Sequence, residues 1–265
     1  MSPDPDRARP LPGRPAHLAD SAGRLWAGRS FEPNPAAGDD GSADPALLAA
    51  LQGFRSGSAT ARDVVQAVRH ARLIIPLVAH AGDVGVAPSG HLVDKTQELS
   101  IVTVAGPDGR TVLPAFTSVG TLATWNPKAR PVPAAGPRIA LAAASEETQL
   151  IVIDPLSPTE FVLRRPAVYA LGTDTEWIPA VDNPAVRAAF EASVAADPDA
   201  ESVELAAGDP DQRLRAEELV VRLRLRAGLD RSGLQAAVAR LTERWAADPA
   251  VANGVDSLAL RLVRA

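Results

Sequence analysis

Thr117 and Ser118 set two hydroxyls and two backbone amides where a strand-like run, Thr111 to Phe116, gives way to a helix-like one. Free amides at a helix start attract anions, so this pair could hold a carboxylate or a similar anion. The same hydroxyls would equally serve as ordinary helix caps. Lys95 and Arg130 are cations that could lie nearby. Phe116, Trp125 and Asp154 complete the most distinctive stretch of the chain, which runs from Lys95 to Asp154.

Other chemistries find less in the sequence. The four histidines, His17, His70, His80 and His91, include no HExxH and no i, i+4 pair. With no cysteine to join them, no metal site is expected. His70, near the expected end of a helix, is better placed to interact with the helix dipole. No G-x-S-x-G elbow presents a nucleophilic serine. The glycine spacing fits neither G-x-G-x-x-G nor a P-loop, so no nucleotide cofactor is expected. Arg222, Arg224 and Arg226 line one face of a strand, yet residues 200–265 hold ten basic and ten acidic side chains. Without interleaved aromatic residues this stripe reads as a solvated face, and no nucleic acid is expected.

Composition sets the outer bounds. The chain has 265 residues, 46% of them apolar, and a net charge of −5. That is enough for one large or two small domains with a real core. The charge offers no general attraction for nucleic acid or an anionic membrane. No apolar run approaches the roughly 20 residues that span a bilayer. The N-terminal stretch lacks an apolar signal-peptide core, so a cytoplasmic protein is expected.

The elements that must position Thr117 and Ser118 follow from capping signals and periodicity. Residues 1–43 carry seven scattered prolines and read as a disordered leader with a small apolar island of Leu25, Trp26 and Phe31. Asp44-Pro45 and Asn183-Pro184 are cap-then-proline helix starts, and Thr60 with Asp63 forms a capping box. Leu73 to Val78 is a strand whose Pro76 predicts an edge or a bulge. Ala79 to Leu92 reads as a Gly-rich loop, and Leu99–Val104 with Thr111–Phe116 as a hairpin. Pro127, Pro131 and Pro133 make a bend before an Ala-rich helix. Leu150–Ile153 and Glu160–Leu163 read as further strands. The sum is an α/β (α+β) fold: a mixed-sheet domain over 44–199, then a small β-β-α-β domain over 200–265.

The segment also resembles the SseB family, named for enhanced serine sensitivity. The resemblance runs from residue 44 to about 172. It rests on Leu47, Leu51 and Phe54, on "VVQAVRHARLIIP", and on Lys95 before "ELSIVTV". It continues through "DGRTVLPAFTS", Trp125, "ARPV" and "LIVIDP". It is similar to the family's N-terminal domain, in particular to its branch from high-GC, actinobacterial-type genomes. The resemblance implies a link to serine tolerance and carries over no catalytic residue. Lys95, Phe116, Thr117, Ser118, Trp125, Arg130 and Asp154 match recurrent family positions, where they could bind or hold the fold.

With no convergent catalytic set, the expected function is that of a non-catalytic accessory or regulatory protein binding an unidentified partner protein. The alternative is a sensor of an amino acid or other anion at Lys95, Thr117, Ser118 and Arg130. A cleft holding Asp154 beside a second carboxylate or a histidine would point to an enzyme instead.

Overall fold

The structure is a computed structural model that describes residues 38–81, 84–86, 92–94 and 97–263. Contacts group the chain into Met1–Asp39 and Asp40–Ala265, and every element among the described residues lies in the second unit. The leader expected over 1–43 falls outside the described residues as far as residue 37. Its last residues are held: the Gly41 carbonyl accepts from Val119 N, and the Ser42 carbonyl accepts from Arg72 Nη2 at 2.7 Å.

The fold is α+β. Helices α1 (Pro45–Ser56) and α2 (Ala61–His70) open it as their caps dictate. Asp44 accepts from the amides of Ala46 and Leu47, and Thr60 and Asp63 satisfy one another's backbone. Leu47, Leu51, Val64, Val65 and Val68 are the buried stripe of the pair.

Strand β1 (Arg72–Ala81) follows, then β2 (Val84–Val86), β3 (Leu92–Asp94), β4 (Gln97–Ile101), β5 (Val104–Ala105) and β6 (Thr111–Ala115). The stretch expected to be a Gly-rich loop therefore holds the end of β1 and an antiparallel β2–β3 ribbon. Valine on either side of Gly85 keeps enough strand preference to pair. The expected hairpin survives only as β5–β6, across a turn with Gly109 at φ +83. Its first half, β4, pairs with β1 instead.

Helix α3 (Val119–Trp125) and strand β7 (Arg130–Ala135) come next. β1 is the middle strand of β4-β1-β7, which corrects the edge or bulge expected at Pro76. The correction has a clear cause. Ile74 gives its N–H and carbonyl to Phe116 of the neighbouring sheet, and the β4 ladder begins only at Leu77. Pro76 sits where β1 changes partners, so its missing N–H breaks no ladder bond. The bend expected at Pro131 and Pro133 is likewise an edge strand. Pro133 lies opposite Ile74 and Pro131 opposite Pro76, positions whose backbone turns away from β7. The nitrogens of both prolines thus face the free edge, where no N–H is needed.

Helix α4 (Gly136–Ser145), strands β8 (Ile151–Ile153) and β9 (Phe161–Leu163), and helix α5 (Arg165–Gly172) complete the segment that holds the candidate residues. Its second sheet has the order β5-β6-β8-β9, with β6 and β8 parallel. The main core lies between this sheet, β1 and helices α1, α2, α4 and α5. α4 starts so close to α2 that a Cβ on Gly136 would meet the Val68 carbonyl at 2.0 Å.

Helix α6 (Pro184–Ala195), strands β10 (Ala200–Ala207) and β11 (Leu219–Leu225), helices α7 (Arg231–Ala247) and α8 (Pro249–Gly254), and strand β12 (Leu258–Val263) finish the chain. The order is the expected β-β-α-β with the short α8 added. β10-β11-β12 is antiparallel, then parallel. Val186, Phe190 and Val194 of α6 join the core formed by α7 and this sheet, so the apolar clusters part between Trp177 and Ala180.

Candidate functional site

Asp154 ends β8 in the left-handed region, at φ +46, and is 1% exposed. Its carboxylate is fully engaged. Oδ1 accepts from Thr117 N at 2.8 Å, and Oδ2 accepts from Thr117 Oγ1 at 2.8 Å and Thr159 Oγ1 at 2.9 Å. Asp154 N donates to the Ala115 carbonyl, which ties the loop after β8 to the end of β6. A buried carboxylate met by three donors is a brace: it fixes two parallel strand ends. Thr117, itself 1% exposed, has no hydroxyl left for a ligand.

Ser118 is also engaged. Its Oγ accepts from Thr121 N at 3.0 Å, and Thr121 Oγ1 accepts from Ser118 N, a capping box at the start of α3. Phe116 is fully buried with Ile74 and Leu122, and its ring lies 5.2 Å from that of Trp125. The structure thus brings together Phe116, Thr117, Ser118, Trp125 and Asp154. It does not bring Arg130 to them: that side chain is exposed at the start of β7, with no hydrogen bond to any of these residues. Lys95 lies outside the described residues, as do His17 and His91. Among the described residues no cluster of His, Asp or Glu could hold a metal ion.

What is open beside this brace is apolar. A hollow of about 200 Å³ is lined by Thr121, Thr124, Trp125, Asp154, Pro155, Leu156 and Ser157. No second carboxylate and no histidine lines it. A second hollow of about 400 Å³ shares Trp125, Pro155 and Leu156 and runs along Val104, Val112, Val152 and Val162. Leu156 stands on the rim common to both, 89% exposed and held at φ +64. Its N–H donates to Glu160 Oε2 at 2.7 Å, which keeps the loop in that shape. Sequence reading missed Leu156, because a lone leucine in a Pro- and Ser-containing turn carries no periodicity. The signal was the motif "IDPLSPT" itself, with prolines on both sides of the leucine.

A second polar assembly, also missed, lies at the junction of β9 with the C-terminal elements. Arg164, 2% exposed, ends β9 and reaches Asp209 through Nη2 at 2.6 Å and Asp256 through Nη1 at 3.1 Å. Arg110 grips Asp256 through Nη1 and Nη2, at 3.0 and 2.9 Å. Asp209 also accepts from the amides of Arg213 and Leu214. Burial pushes the Asp256 carboxyl upward, but Arg110 and then Arg164 outweigh it and hold it below the ordinary carboxylate value. Glu218, buried beside them, accepts from Asp256 N at 2.6 Å. Burial raises its carboxyl to about 7 against that hydrogen bond. No spacing in the sequence marks these residues, since they meet across 38 to 146 positions.

No helix among the described residues is long and apolar enough to cross a membrane. No curated protein and no solved structure matches the chain. Residues 46–170 match the family model described as the SseB protein N-terminal domain. The match covers α1 through most of α5 and contains the Asp154 brace and Leu156. Just under half of the chain, residues 46–170, thus carries an SseB protein N-terminal domain.

Proposed function

We propose that the chain is a non-catalytic, cytoplasmic accessory protein of regulatory character that binds a partner protein through Trp125, Pro155 and Leu156. The observation that carries this reading is Leu156. A leucine in left-handed backbone costs about 1–2 kcal/mol, and an exposed one returns nothing to the core. Holding it there, between two hollows that share its walls, supplies an apolar anchor of the kind interfaces use. The polar residues beneath it serve as the frame that keeps the loop in place. A small-molecule sensor at the same place has less support, because the Thr117 and Ser118 hydroxyls are taken up by Asp154 and Thr121.

Leu156→Asn tests this. Asn tolerates left-handed backbone, so the variant should be as stable as the parent or up to about 1 kcal/mol more stable. Capture of the partner from a lysate of the native cell should fall at least tenfold. Denaturant titration and quantitative affinity capture read the two effects. A variant that keeps full capture would remove Leu156 from the interface.

A further inference from the structure

The edges of the two three-stranded sheets are guarded unequally. β7 carries Pro131 and Pro133 on its free side. β10 has an irregular register between Ala200 and Ser202 and packs beside α6. Prolines, bulges and covering elements are the usual devices that stop an edge from pairing with another chain. β12 has neither proline, glycine nor a register shift, and it pairs only with β11 among the described residues. Its apolar side is also unfinished. Leu258 and Leu260 are half-buried against α7 and the core, but Leu262 is 51% exposed.

The other face of this sheet is basic where it nears that edge. Arg222 and Arg224 of β11 are exposed, and Arg261 of β12 lies directly opposite Arg222. Like charges facing each other across a ladder are destabilising. Glu204 answers Arg222 at 3.2 Å, from a pair that is largely solvated. Arg224 and Arg261 have no ion-pair partner among the described residues.

We propose that the open edge of β12 is a docking surface for an extended acidic segment of a partner protein, which adds to the sheet as a fourth strand. Main-chain hydrogen bonds to β12 would supply affinity. The segment's apolar side chains would lie beside Leu260 and Leu262, and its alternate carboxylates over Arg261 and Arg224. This surface is separate from the Leu156 loop, and neither proposal depends on the other.

The test uses the full chain and a pool of fluorescent eight-residue peptides with Glu at alternate positions and Val, Ile or Leu between. Binding should weaken with salt, and it should slow hydrogen exchange of the amides of 258–263. Arg261→Glu alters an exposed side chain and should weaken binding at least tenfold, while gaining affinity for the same pool with Lys in place of Glu. Peptides methylated on alternate backbone nitrogens should not bind. Absence of binding by the acidic pool would overturn the proposal. So would binding that survives backbone methylation, or equally tight binding of a single-stranded oligonucleotide of the same charge, since either would mark a surface for polyanions without strand addition.

Discussion

Arg164→Met is expected to cost about 3–5 kcal/mol of folding stability, the largest single-residue effect the structure implies. Methionine fills much of the same volume, so the loss comes mainly from charge. Asp209 would keep only the amides of Arg213 and Leu214, and Asp256 only Arg110. Both carboxylates would remain at 5% exposure or less, with less positive charge to offset burial. Urea unfolding reads the loss directly, as a shift of the midpoint at unchanged slope. A companion variant separates charge from packing. Replacing Arg164 with Met together with Asp209→Asn removes the one carboxylate left without a cation, keeps an acceptor for the amides of Arg213 and Leu214, and should recover a large part of the stability. If the single variant lost less than about 1 kcal/mol, the network would be a minor feature of the fold.

Glu218 gives the chain an unusual dependence on pH. Its folded carboxyl titrates near 7, above the ordinary value of 4.5, because it is buried. Between those values the folded state holds a proton that the unfolded state has released. Stability should therefore fall as pH rises from about 4.5 to about 7, by at most about 3 kcal/mol. Above that window both states are ionised and the loss is complete. Asp256, which faces it, has its carboxyl held below the ordinary value and so stays ionised across the window. Asp256 acts in the opposite sense and lower down, since stability from its depressed carboxyl is lost as pH falls below about 4. Glu218→Gln should flatten the profile and raise the melting temperature at pH 8 by several degrees, leaving it nearly unchanged at pH 5. A parent protein whose melting temperature rises from pH 5 to pH 7 would contradict this assignment.

The parts of the fold that could be read from sequence are those decided locally. Asp44-Pro45, Thr60 with Asp63, Ser118 and Asn183-Pro184 each start a helix where their cap chemistry places it. The alternation of Leu219 to Leu225 gives a strand with one buried face, as observed. β7 was illegible for a physical reason. Whether proline is tolerated in a strand depends on which way its nitrogen faces, and that is set by β1, more than fifty residues earlier. The site divides in the same way. "LPAFTS" and "IDP" brought Thr117 and Asp154 into view, and the two sit in one hydrogen-bonded brace across 37 positions. Their role depends on burial, which residue types alone do not reveal. Ser118 and Thr117 look like anion ligands until their partners are seen. Arg164, Asp209, Glu218 and Asp256 look like ordinary surface charges until the C-terminal elements close over them.

The account rests on Leu156 being an interface anchor, and photo-crosslinking at that position tests it most directly. A benzophenone amino acid placed at 156 in the native cell should yield one discrete adduct, lost when unlabelled protein is supplied in excess. The same probe at Leu141, which is 59% exposed on α4, serves as the control for exposure alone. An adduct at 156 and none at 141 is the predicted result. No adduct at 156, or the same products from both positions, would contradict the account.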